Sequence, residues 1–141
     1  MPQPTIVFVP GAFHTPEYYN PVRSLLEAKG YVTKAVSLPS VGDSTSSMAD
    51  DATAIRAVTS KLADEGHQVV VVIHSYEDGE VGIIALVYLA AYLVKKRMSD
   101  GLICHDKPAA LETFYNDFTP EMDPEGWASR LQTQSAESWA G

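Results

Sequence analysis

One cysteine, Cys104, is all the chain carries, which excludes an internal disulfide and any zinc pattern built on paired thiolates. A surplus of positive charge is also missing. Ten lysines and arginines face 18 aspartates and glutamates, a formal charge of −8, which argues against a nucleic-acid or anionic-membrane surface. The longest apolar run, inside residues 80–94, is only about 14 residues and too short for an ordinary membrane span. The opening Met-Pro-Gln-Pro has neither a basic region nor a long apolar segment, so no secretory leader is expected. The four histidines are scattered without metal-ligand spacing. The expectations are therefore no metal, no cofactor, no nucleic acid and no membrane. With 45% hydrophobic and 20% charged residues, 141 residues make one cytoplasmic globular domain with its own core.

Repeats, low-complexity tracts and dividing linkers are absent too, so the pattern can be followed straight along the chain. Thr5 to Val9 is a short β-branched apolar run that Pro10-Gly11 ends in a turn. Asn20-Pro21 opens a helix, with an N-cap residue and proline at the first helical position, and Gly30 closes it. Tyr31 to Ser37 reads as a strand. Ser47-Met-Ala-Asp50 is a capping-box variant before a helix with apolar Met48, Ala52, Ile55, Val58 and Leu62. Gly66 ends that helix and Gln68 to Ile73 is the next strand. The order βαβαβ implies an α/β three-layer sandwich with a mostly parallel sheet, whose ligands bind outside the carboxyl ends of the strands.

Two segments meet at those ends. Gln68-Val-Val-Val-Val-Ile-His-Ser-Tyr-Glu-Asp-Gly79 is a buried-strand run that stops abruptly at Ser75. That is the layout of a nucleophile elbow, although Ile73 and Glu77 stand where the G-x-S-x-G form has glycines. A serine at a strand end is in most proteins an ordinary helix cap. The other segment, Pro10-Gly11-Ala12-Phe13-His14, follows the first strand, where a glycine lets the backbone approach a ligand and aim its N–H groups outward.

Together with His74-Ser75-Tyr76, this stretch resembles the α/β-hydrolase superfamily, most closely its small ester-, lactone- and hydroxynitrile-processing members. The resemblance continues through Asn20 to Gly30, Ser37-Leu-Pro-Ser-Val-Gly42 and Leu86-Val-Tyr-Leu-Ala-Ala91. A weaker echo, Phe114-Tyr-Asn-Asp117 with Trp127 and Gln134-Ser135, is similar to a cap region. It implies a core over 1–107 and a helical lid or cap remnant over 108–141, in one compact domain. It also implies a truncated hydrolase, since nothing from Gln132 to Gly141 resembles the loops that bear the triad acid and histidine.

By carry-over, Ser75 is the nucleophile, and the backbone N–H of Tyr76 with that of Ala12 or Phe13 forms the oxyanion hole. His14, Tyr76 and the departing Glu77 are further candidate catalytic residues. Phe13, His14, Phe114, Tyr115 and Trp127 are candidate substrate contacts, with Phe114, Tyr115, Trp127 and Leu131 forming the lid. Each has a plainer reading: His14 as an exposed loop histidine, Glu77 as a solvent-facing residue, the aromatics as core. His74 should point away from Ser75 along the strand, and His67 is a helix-end residue. A serine without a base is a poor nucleophile, so three functions compete. They are a hydrolase acting on a small ester, lactone or carbonyl substrate, a proton-transfer, elimination or cyclisation catalyst in the same pocket, and a catalytically inactive binding or partner subunit.

Residues 80–94 fit neither element cleanly. Acidic Glu77, Asp78 and Glu80 before them and basic Lys95 to Arg97 after them suit a helix dipole, so a post-nucleophile helix is expected. An uncovered sheet edge beside this apolar segment predicts a homodimer in which 81–94 forms the interface.

Overall fold

The computed structural model describes residues 3–74, 85–89, 96–99, 102–105, 107–115 and 117–135. Four strands, β1 (Thr5–Val9), β2 (Val32–Ala35), β3 (Val69–His74) and β4 (Ala85–Leu89), form a parallel sheet in the order β2-β1-β3-β4. Between them lie α1 (Asn20–Glu27) and α2 (Met48–Asp64). Strand register assigns the two faces. Val7 pairs with Val71 and Val9 with Ile73, and these residues share a cluster with Val36, Leu38, Ile55 and Leu62 under α2. On the opposite face Phe8 packs on Tyr19 at 4.7 Å between ring centroids. There Arg23 of α1 donates to Thr33, the register partner of Ile6, at 3.0 Å. The expected three layers are present, with α1 and α2 on opposite faces.

Local signals account for both helices. Ser47 Oγ accepts from the Asp50 backbone N–H, and Asp50 returns the bond by accepting from the Ser47 N–H at 2.8 Å, the reciprocal form of a capping box. Gly66 follows at φ 83° and Gly30 follows α1 at φ 87°, left-handed positions that suit glycine at helix ends. The α1 start differs from expectation. A 3-10 turn over Pro16–Tyr19 runs straight into the helix, so Tyr19 and not Asn20 stands at the cap. Pro16 nucleates this earlier turn with its fixed φ.

Residues 85–89 correct the helical reading of 80–94. They form β4, parallel to β3, with Val70 paired to Ala85 and His74 to Leu89. Only residues 75–84 connect the two strands, at the short end for a parallel crossover. In 85–89 the central valine and tyrosine, which favour strands, outweigh the charges that flank the segment. The rest of 80–94, and with it most of the expected dimer interface, lies outside the described residues.

A second, antiparallel sheet was not anticipated. It consists of β5 (Lys96–Ser99), β6 (Leu102–His105) and β7 (Gln134–Ser135). Two short helices, α3 (Lys107–Phe114) and α4 (Pro124–Arg130), lie between β6 and β7. Asp123 caps α4 from a left-handed φ of 54°, its carboxylate accepting from the Gly126 N–H at 3.1 Å. Within the expected helical lid, α4 stops at Arg130, because residues 132–135 turn back onto the first strand's loop. Among the described residues no helix is long and apolar enough to cross a membrane.

Candidate active site at the carboxyl ends of β1 and β3

Beyond Val9 the chain turns sharply. The His14 N–H bonds the Gly11 carbonyl at 3.2 Å, closing a turn whose third residue, Phe13, has φ 70°. A left-handed phenylalanine costs about 1–2 kcal/mol and must be held by its surroundings. Phe13 is held on three sides. Its side chain is fully buried, its carbonyl accepts from the Gln132 N–H at 2.8 Å, and its N–H donates to Gln134 Oε1 at 3.3 Å.

His14 is buried, not the exposed loop histidine of the plainer reading. Its Nδ1 lies 2.8 Å from the Ala12 carbonyl, which can only accept, so Nδ1 carries the proton. In the neutral ring Nε2 is then the acceptor for the Tyr115 hydroxyl at 3.1 Å. This bond ties the loop after β1 to the end of α3. Phe114 meets the same imidazole edge-on, 5.3 Å between centroids. Burial pushes the Tyr115 phenol well above its ordinary range, with Tyr18 adding to the shift, so it stays a hydroxyl and a donor.

The expectation that His74 faces away from Ser75 turns on a residue outside the described ones, but the surroundings of the His74 ring are clear. As the last residue of β3 it shares a face with Val70 and Val72, the side on which the 3-10 turn lies. Its ring stacks on Tyr18 at 5.8 Å and approaches His14 at 5.7 Å. Its Nδ1 is buried with no hydrogen-bond partner among the described residues, and burial lowers its pKa below the ordinary 6.5. The sequence-based expectation looked only at alternation relative to Ser75. It missed that a residue facing away from a nucleophile still faces the adjoining loop.

The predicted lid aromatics do assemble. Ala110, Tyr115 and Ala128 form a second buried cluster with Tyr18, Leu111, Phe114, Phe118, Trp127 and Leu131 packed against it. It lies over the loop after β1 through Tyr18 and the His14–Tyr115 bond. Trp127 sits toward its rim, edge-on to Tyr18 at 5.7 Å and covered by the Arg130 guanidinium at 4.7 Å. There it lines a surface groove of about 430 Å³ with Glu17, Asn20, Pro21, Ser24 and Arg130.

Ser75, Tyr76 and Glu77 lie outside the described residues. What the structure gives is their point of departure. Val9 and Ile73 are paired in register, so β3 ends at His74 level with the start of the Pro10–Ala12 loop. Among the described residues no acceptor meets the Ala12 N–H.

Residues 6–140 match the Alpha/beta hydrolase family. The chain belongs to that family. Among curated alpha/beta hydrolases it is similar to Alpha/beta hydrolase nvfD of Aspergillus novofumigatus (strain IBT 16806), with 34% identity covering 67% of this chain and 45% of the relative. The chain thus spans less than half the length of that hydrolase. Its fold is similar to the crystal structure of a methylesterase, MES16 from Arabidopsis, with a TM-score of 0.79. At 19% identity, that match covers 98% of this chain and 69% of the methylesterase and speaks for the fold alone.

Several residues around the alpha/beta-hydrolase site escaped sequence reasoning. Asp51 is fully buried and accepts from both the N–H (2.9 Å) and the hydroxyl of Ser40, and Gln134 Nε2 donates to the same hydroxyl. One signal was available. Asp51 falls on the stripe of Met48, Ile55 and Leu62, and an acidic residue on an apolar helix face needs a buried partner. Gln134 was marked only by the cap-region resemblance and Tyr18 not at all, since the Gln134 bond to Phe13 and the Tyr18 contacts with His74 and Trp127 span long stretches of sequence.

Proposed function

We propose that this chain acts on a small ester, lactone or related carbonyl compound, with Ser75 as nucleophile and the Ala12 and Tyr76 backbone N–H groups as oxyanion donors. One observation carries the reading. β1 and β3 end side by side in register, with the Ala12 N–H at one strand end and the chain continuing into Ser75 at the other. The ester class is further supported by the named relatives, an alpha/beta hydrolase and a methylesterase.

In this reading His14 is the general base. A base in acyl transfer needs one ring nitrogen fixed by a third group and the other left as acceptor. The Ala12 carbonyl fixes Nδ1, and Nε2 accepts from the Tyr115 hydroxyl, which must give up that lone pair for Ser75 to be deprotonated. Preorganised donors at the developing oxyanion are worth about 10²–10³ in rate each. They are backbone groups, so they persist although glycine is replaced by Glu77 after the serine. Residues 107–135 serve as the lid over this end of the sheet.

Incubation of the intact chain with a fluorophosphonate probe tests the proposal, alongside turnover of p-nitrophenyl acetate. Labelling at Ser75, lost in Ser75→Ala and in His14→Phe, is the expected result. A Ser75→Ala variant with undiminished turnover would sink it.

The His14–Tyr115 bond favours a second reading. The imidazole already accepts a phenolic hydrogen bond, and His74 lies nearby with a buried Nδ1 that has no hydrogen-bond partner among the described residues, so the same pocket suits proton transfer or elimination without an acyl-enzyme. Turnover would then survive Ser75→Ala and vanish in Tyr115→Phe. A chain that neither labels nor turns over any carbonyl substrate would be a binding subunit.

A further inference from the structure

We propose that Gln134 is a positioning residue for the oxyanion loop, holding the peptide that follows the Ala12 donor by way of a buried chain anchored on Asp51. The proposal rests on the acyl-transfer reading above.

The geometry is specific. The peptide joining Ala12 to Phe13 is gripped at both poles: its carbonyl accepts from His14 Nδ1 at 2.8 Å, and its N–H donates to Gln134 Oε1 at 3.3 Å. The preceding peptide, which carries the Ala12 N–H, is held against that fixed plane by its own Gly11 carbonyl, which accepts from the His14 N–H at 3.2 Å and removes the freedom of the two torsions between them. Phe13 would not hold φ 70° unaided.

Gln134 cannot drift, because its own side chain is fully buried and satisfied from the other end. Its Nε2 donates to Ser40 Oγ, which donates to the buried Asp51 carboxylate. Asp51 belongs to the first turn of α2, so the brace runs from the helix to the strand-end loop. Backbone bonds keep it in register: Ser135 N–H to Ser40 carbonyl at 2.8 Å, Gly42 N–H to Thr133 carbonyl at 2.7 Å, and Gln132 N–H to Phe13 carbonyl at 2.8 Å. A neutral amide suits the position because it must accept from one group and donate to another. Segment 132–135 thereby links the lid to the rate of the chemical step.

The test compares the intact chain with Gln134→Met, which keeps length and removes the side-chain hydrogen bonds to the Phe13 N–H and to Ser40 Oγ. Gln132→Ala is the control, since Gln132 holds Phe13 only through its backbone. In Gln134→Met the kcat for p-nitrophenyl acetate should fall about tenfold to a hundredfold with KM little changed, the mark of a misplaced transition-state donor. Amide hydrogen exchange at Phe13 should speed up about fivefold or more, with Val7 and Val71 still protected. If Gln134→Met fails to fold, Ser40→Ala, which loosens the far end of the brace, should move both readouts the same way by less. Unchanged Phe13 exchange, or faster exchange with wild-type kcat, overturns the proposal while leaving the acyl-transfer reading standing. A wild-type chain without ester turnover or Ser75 labelling overturns that reading and this proposal with it.

Discussion

Two hydrophobic clusters hold this alpha/beta-hydrolase chain together, and they are built from different materials. The first, between sheet and α2, is aliphatic: Val7, Val9, Val36, Leu38, Ile55, Leu62, Val69 and Val71. The second, over the strand ends, is aromatic and imidazole-rich, with Tyr18, Phe114, Tyr115, Trp127 and the rings of His14 and His74. Aliphatic packing gains from removal of area from water and tolerates many arrangements. Aromatic and imidazole packing also needs each polar tip met, so it fixes orientation. The first cluster therefore holds the sheet, and the second shapes whatever binds at its end.

That division is open to attack from the aliphatic side first. Leu62→Ala should cost about 2–5 kcal/mol, the range for deleting a buried leucine with incomplete collapse of the cavity. Leu62 is only 6% exposed, in the last turns of α2. Urea unfolding followed by circular dichroism reads the loss. Ester turnover per folded molecule should stay within about twofold, because uniform loss of stability does not touch transition-state contacts. A large fall in kcat at full folding would mean the two clusters are not separable.

A smaller effect is expected from Tyr115→Phe, which keeps the ring in the aromatic cluster and removes only the hydroxyl on His14. Its stability cost should be about 1 kcal/mol, well under that of Leu62→Ala. Activity should respond in the opposite order, with Tyr115→Phe changing turnover more than Leu62→Ala. Equal ranking in both assays would erase the contrast between the clusters.

The same contrast explains what the sequence revealed. The aliphatic cluster was legible because β1 and β3 are unbroken β-branched apolar runs and α2 carries one apolar stripe, with Ser47 to Asp50 marking the helix start. The resemblance around Gly11 and Ser75 brought the family and the two strand ends. Within the site, His14, Phe114, Tyr115 and Trp127 were named, yet the bonds that organise them were not. His14 to Tyr115 and Phe13 to Gln134 each span over a hundred residues, and no local pattern encodes such a pairing. β4 was missed because flanking charges outweighed β-branched content in a segment of mixed signals. β5 to β7 were missed because strands of two to four residues carry too few alternations to register.

The last and smallest expected effect concerns His74, where the aromatic cluster holds an imidazole away from water. Its pKa lies below the ordinary 6.5 because burial disfavours the charged ring. The flanking rings of Tyr18 and His14 add no negative charge to oppose that. A lowered folded-state value means the unfolded chain takes up the proton first as the solution is acidified. Stability from this group is thus complete above 6.5 and is lost as pH falls from 6.5 through the folded value. His74→Phe keeps a ring against Tyr18 and removes the proton site. Unfolding free energies measured from about pH 7.5 down to about pH 5.5 should therefore fall more steeply for wild type than for the variant. Parallel curves would mean that His74 is charged without penalty in the fold, and that the aromatic cluster is open to water in a way the aliphatic one is not.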